Sequence, residues 1–206
     1  MSLSRLVTFG CSLTYGHGLP DCFDQPTNGA GIKPSVHAWP QILANKLNWD
    51  CKNCSIAGAS NKLILKTILD FDFHPNKDFV IVQFSFANRW TIFRKDTWPI
   101  HLNAHNKEFF QWFKTTNDYD LYITSAMAID CAFSHLKSIG CNFIFSCVDD
   151  DLEEIKKYIK HAKLPIKSIN EFYQDYPKAL DTFHPGLECH TVYANYLFNS
   201  IKNLIN

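Results

Sequence analysis

Two short motifs at opposite ends of the chain carry the residues best suited to chemistry. Val7-Thr8-Phe9-Gly10-Cys11-Ser12-Leu13-Thr14 is an apolar run that breaks at a glycine and presents a serine. Asp181-Thr182-Phe183-His184-Pro185-Gly186 sets a carboxylate and an imidazole within one turn of chain. Together they supply a nucleophile, a base and a group to orient the base, which acyl transfer through a serine requires. Ser12 is then the nucleophile, His184 the general base, and Asp181 the acceptor that fixes the imidazole tautomer. Gly58 and Asn88 are candidate oxyanion donors, since a turn glycine lets substrate approach its N–H and an asparagine amide adds another. Each residue alone also fits a plain role: Ser12 a helix N-cap, Asp181 a turn cap, His184 a surface residue, Gly58 a turn glycine and Asn88 a loop residue.

The elements that must position these groups can be read from periodicity. Leu6–Phe9 predicts a first strand ended by Gly10, and 16–36, rich in Gly, Pro, Asp and Asn, predicts a long loop. A helix begins at Trp39-Pro40, a strand is expected over Trp49–Ile56, and a helix follows the Gly58 turn with Leu63, Ile64, Ile68 and Phe71 on one face. Phe79–Phe86 is almost wholly apolar, as a strand buried on both faces should be. Trp90–Thr116 reads as irregular; Asn117 then caps a helix stopped by Gly140, and Cys141–Cys147 is another strand. The acidic run Asp149–Glu154 predicts a solvated loop and helix start, Pro165–Ile169 a short last strand, and Glu188–Ile205 a closing helix with Tyr193, Leu197, Ile201 and Leu204 facing inward. Alternating strands and helices imply a parallel sheet covered on both faces, a three-layer α/β/α sandwich over residues 1–206 as one domain. Ligands of such sheets bind beyond the carboxyl ends of the strands, where Ser12, Gly58 and Asn88 are all expected to emerge.

Composition narrows the function classes. The 206 residues are 46% hydrophobic and 19% charged, which argues against disorder. A formal net charge of +0 gives no global field for nucleic acid or an anionic membrane. No secretory pattern is seen at the N-terminus and no run approaches the ~20 apolar residues of a membrane span, so the expected location is cytoplasmic. The eight cysteines then read as reduced thiols, and the Cys51/Cys54 pair, lacking a second pair, as ordinary burial.

The motifs resemble those of the SGNH hydrolases, also called GDSL esterases and lipases. Gly10-Cys11-Ser12-Leu13-Thr14 is similar to the family's first block, with Ser12 in the nucleophile's place and its N–H in the oxyanion hole. Asn53–Asn61 resembles the second block, with Gly58 as the oxyanion glycine; Phe86-Ala87-Asn88-Arg89 resembles the third, with Asn88 as the oxyanion amide and Asn61 as the fallback. Asp181 and His184 fall in the last block, and His190 stands in a structural position opening the final helix. The resemblance implies a flavodoxin-like sandwich of about five parallel strands. It implies hydrolysis of carboxylic esters through an acyl-enzyme, with no metal or organic cofactor. Short acyl or O-acetyl groups, with a small molecule or carbohydrate as the alcohol, are the expected substrates, and Trp90, Trp98, Phe110 and Trp112 are candidates for stacking on sugars. The chain departs from the pattern at Cys11 (usually Asp), Phe86 (Gly), Arg89 (Asp) and Cys189 (Gly). A catalytically silent binding or structural module on the same fold is the alternative. A flavin-binding flavodoxin-like protein is disfavoured by a first loop poor in phosphate-cradling residues, and the α/β-hydrolase fold by Thr14 and the close Asp–His spacing.

Overall fold

The computed structural model describes residues 3–95, 100–102 and 117–205. Its elements run β1 (Arg5–Phe9), α1 (Ser12–Tyr15), β2 (Phe23–Asp24), β3 (Gly29–Ala30), α2 (Trp39–Leu47), β4 (Asp50–Asn53), α3 (Asn61–Leu69), β5 (Asp78–Phe84), β6 (Trp90–Ile92), β7 (Ile100–Leu102), α4 (Asp118–Ser138), β8 (Asn142–Cys147), α5 (Leu152–Lys156) and α6 (Leu187–Ile201). Two single 3-10 turns, Ile169–Glu171 and Tyr173–Asp175, precede α6.

The central sheet has the order β4-β1-β5-β8 and every pairing in it is parallel. Every residue of β5 is buried, which explains why its sequence is apolar without alternation. Helix α2 carries the chain from β1 outward to β4, and α3 carries it back across β1 to β5. Right-handed crossovers in opposite directions place these helices on opposite faces. Accordingly α2 packs against α6, and α3 against α4. Local signals set the helix ends. Asn117 caps α4 by accepting the Asp120 N–H at 2.8 Å, acidic Asp118 and Asp120 fill its first turn, and His135 and Lys137 its last. His190 is fully buried in α6, and its Nδ1 accepts the Trp39 N–H at 3.1 Å, tying α6 to the start of α2. Burial, then the nearby His184, pushes it down to about 3, so it acts as a neutral structural strut.

The mixed architecture matches expectation; several details do not. The sheet of the described residues has four strands instead of about five. Pro165–Ile169 forms no strand, because α6 side chains take its backbone groups: Lys167 N–H donates to the Tyr196 hydroxyl and Lys167 O accepts from Tyr193, both at 2.9 Å. The segment after Trp90, expected to be irregular, contains the antiparallel β6–β7 pairing. The 16–36 loop carries a minimal β2–β3 ribbon. Leu204 lies beyond the end of α6 and is exposed, not inward-facing. Among the described residues no helix is long and apolar enough to cross a membrane. The eight cysteines are unpaired, and burial pushes Cys51 up to about 12 and Cys54 to about 11, away from thiolate chemistry.

At the amino ends of the strands, away from the loops that carry the motifs, Arg5 makes a two-pronged ion pair with fully buried Asp78, at 2.6 and 2.8 Å. Asp78 also accepts the His74 N–H at 2.8 Å. Replacing Arg5 with Met leaves that carboxylate uncompensated and should cost about 3 kcal/mol. Urea unfolding of Arg5→Met against the wild type measures it, and an unchanged midpoint would show the pair to be dispensable.

Candidate active site

Ser12 opens α1 directly after β1. The turn between them is tight: a Cβ on Gly10 would sit 2.2 Å from Thr14 Oγ1, so only glycine fits. Gly16, in the left-handed region at φ 83°, ends the helix after one turn. The Ser12 hydroxyl is buried and has no hydrogen-bond partner among the described residues. Cys11 is packed in the core with no exposure, so an apolar side chain fills the place of the family's Asp.

Asp181 and His184 come together inside one turn. His184 Nδ1 lies 2.5 Å from Asp181 Oδ2, while Asp181 Oδ1 accepts the N–H groups of Phe183 and His184, each at 3.0 Å. Asp181 is only 6% exposed. Burial opposes its ionisation, but the His184 and Phe183 N–H groups and the imidazole outweigh that and hold it below the usual carboxylate value. His184 is shifted downward, chiefly by burial; Asp181 opposes the shift, and the nearby charges of His17 and Arg89 add to it. The ring nitrogen facing away from Asp181 is therefore available as a neutral base near pH 7.

His17, which sequence reasoning did not single out, completes this cluster. Its ring packs on that of His184 with centroids 4.5 Å apart, and its Nε2 stands 3.9 Å from Asp181 Oδ2. One donor atom from each of His17, Asp181 and His184 lies within 4.8 Å of the others, a set of ligand types that suits a transition metal. Gly18 allows the approach, since a Cβ there would meet Asp181 Cγ at 2.8 Å, and its carbonyl accepts the Leu180 N–H at 3.0 Å. Only spatial proximity of the chain's two ends reveals this contact; no local spacing encodes it.

A cavity of about 580 Å³ is lined by Ser12, Leu13, Phe86, Arg89, Asn170, Tyr173, Phe183 and His184. The proposed nucleophile and base thus line the same cavity. The other candidates are placed differently. Gly58, at φ 78°, sits in a turn tied to the first motif by the Ile56 N–H donating to Gly10 O at 3.1 Å. Asn88 is exposed and lines a neighbouring cavity with Asp149, Asp150 and Asp151; it is Arg89 that faces the Ser12 cavity. Asn61 is buried and fully engaged, donating to Ser85 O and Ser125 Oγ and accepting the Ser85 N–H at 2.6 Å. That makes it a clamp on the end of β5, not a free amide. Trp90 lies on β6 beneath the Lys62 ammonium, and Trp98, Phe110 and Trp112 lie outside the described residues. The rings that line the cavity are Phe86, Tyr173 and Phe183.

Two measurements probe this geometry. The His184 imidazole should titrate below 6.5 by NMR, and lower still in Asp181→Asn, because Asp181 is the group that raises it. A midpoint above 6.5, or an upward shift in that variant, would contradict the arrangement. Thr182, exposed and held at φ 63°, is a β-branched residue in the left-handed region. Thr182→Gly should stabilise the fold by about 1 kcal/mol in thermal or urea unfolding, by releasing that strain.

No protein-family model matches the sequence, and no curated protein matches it. Solved structures do. A Desulfitobacterium hafniense protein assigned to the lipolytic G-D-S-L family aligns with a TM-score of 0.58 at 12% identity, covering 95% of this chain and 98% of its own. A psychrotrophic esterase from Pseudoalteromonas aligns at 0.60 and 11% identity, covering 98% and 99%. An acetyl xylan esterase from the rumen bacterium Butyrivibrio proteoclasticus aligns at 0.59 and 15% identity, covering 99% of this chain but 65% of its own. The four-stranded parallel sheet between helical layers, with the serine after its first strand, is an SGNH hydrolase-like fold.

Proposed function

We propose that the chain is a serine hydrolase of carboxylic esters, acting as one SGNH-like domain. One observation carries this reading: Ser12, whose buried hydroxyl has no hydrogen-bond partner among the described residues, and the Asp181-bound His184 line the same cavity. The fold's likeness to esterases and lipases supports it.

In the proposed reaction Ser12 Oγ attacks the acyl carbonyl and its proton passes to His184 Nε2. The imidazolium is stabilised by Asp181 across the 2.5 Å contact. The N–H groups of Ser12 and Gly58 hold the oxyanion; Asn88, proposed from the sequence as a third donor, lines the neighbouring cavity. Collapse of the intermediate breaks the bond to the alcohol, which leaves with the proton from His184. Water then attacks the acyl-enzyme with His184 as base, releasing the acid and restoring the Ser12 hydroxyl. None of these steps calls on a metal or organic cofactor. Short acyl groups fit a cavity of this size, and its three aromatic rings suit a sugar or aryl alcohol.

The second reading, a silent module on the same fold, is favoured by the missing Ser12–His184 hydrogen bond, although such bonds are often loose before substrate binds. A fluorophosphonate probe and short-chain aryl esters decide between them. Wild type should label and turn over, whereas Ser12→Ala should lose labelling and at least about a thousandfold in kcat. Equal rates for the two proteins would remove Ser12 from the mechanism.

A further inference from the structure

Among the described residues that line the Ser12 cavity, Arg89 is the one cationic side chain. It is held in place by two contacts: Nη1 donates to Ser85 Oγ at 3.1 Å, and the guanidinium stands 4.9 Å from the centre of the Phe86 ring. Neither contact neutralises it. Among the described residues no carboxylate pairs with Arg89. A guanidinium fixed by a hydroxyl and a ring face keeps most of its five donors for something else.

The opposite charge is kept to another side. Asp149, Asp150 and Asp151 line the neighbouring cavity, and Asp150 reaches the Ser12 cavity only through the Asn170 amide that donates to it at 3.2 Å. The Ser12 cavity thus holds a cation unpaired among the described residues, while these carboxylates line the cavity beside it.

We propose that Arg89 forms an anion subsite, so that the ester placed at Ser12 carries a carboxylate or phosphate group close to its reacting carbonyl. The subsite deepens the hydrolase reading by naming the substrate class, and takes Ser12 and His184 as the reacting pair. A bidentate pairing of guanidinium with a planar carboxylate orients the substrate as well as binding it.

Binding and turnover test it separately. NMR titrations of the wild type should show benzoate and phenyl phosphate perturbing Phe86 and Phe183, with benzamide binding at least about tenfold more weakly than the tighter anion. Whichever anion binds tighter assigns the oxyanion. Arg89→Gln should lose at least about tenfold in that affinity, and Arg89→Lys should recover part of it as a point charge. In turnover, 3-acetoxybenzoate and 3-acetoxyphenyl phosphate are compared with phenyl acetate by kcat/KM, and the preference for the anionic esters should collapse in Arg89→Gln. Benzamide binding as well as benzoate and phenyl phosphate, or equal anion affinity in wild type and Arg89→Gln, overturns the subsite. Anion binding that needs Arg89, with no turnover of any ester, keeps the subsite and overturns the hydrolase reading instead.

Discussion

A carboxylate removed from water must be matched by donors, and Asp181 is where this chain meets that demand. Its two oxygens take two backbone N–H groups and the His184 ring, all from the three residues that follow it. Meeting the demand so locally dictates the backbone. It puts Thr182 in the left-handed region and folds the chain back so that Ala179 N–H donates to His184 O at 2.8 Å. It also brings the turn against the first loop, where Leu180 N–H donates to Gly18 O. The same carboxylate thus fixes the imidazole and docks the last motif onto the first, so that residues far apart in sequence come to line one cavity.

The rim on which this happens is held by side-chain amides. Strand pairing stops at the carboxyl ends of the sheet, where the loops must still satisfy their backbone groups. Asn53 and Asn61 supply what the ladder no longer can. The Asn53 amide donates to Thr14 O at 2.9 Å, closing α1, and its oxygen accepts the Ser55 N–H at 3.1 Å. Asn61 clamps both backbone groups of Ser85. The loops after β1 and β5 are consequently fixed by the end of β4, which neighbours β1 in the sheet, and by the start of α3. Rigid loops on such a rim can hold a serine and an imidazole at a set separation, which substrate positioning requires.

How much of this was legible in the sequence follows from the range of the interaction involved. A nearly wholly apolar run marked β5, and an N-cap with an acidic first turn marked α4, because those signals are local. The Asp181–His184 contact was legible for the same reason. Pro165–Ile169 looked like a strand because nothing local reveals that Tyr193 and Tyr196, on a later helix, would take its backbone groups. Asn61 read as a spare amide because Ser85 and Ser125 are distant in sequence. Asn88 and Arg89 differ by one position in a turn, and spacing cannot say which of two neighbours faces the cavity. His17 had no local signal; its ring partner is at the other end of the chain.

The departures from the SGNH pattern share a direction. Cys11 and Arg89 each stand where the resemblance leads one to expect a carboxylate, and Arg89 adds a cation besides. Neither change is absorbed by a compensating charge: Cys11 is closed into the core, and Arg89 is anchored by a hydroxyl and a ring. The cavity lined by Ser12 and His184 therefore carries a cation, Arg89, where the pattern implies a carboxylate. Burial chiefly holds His184 below its ordinary value, the Arg89 charge adds to that, and the same charge favours negative charge developing opposite Ser12. A neutral base and a stabilised oxyanion are both what the proposed reaction needs. A cation in place of a carboxylate in the cavity that Ser12 lines is also the charge that the proposed anionic substrate would need there.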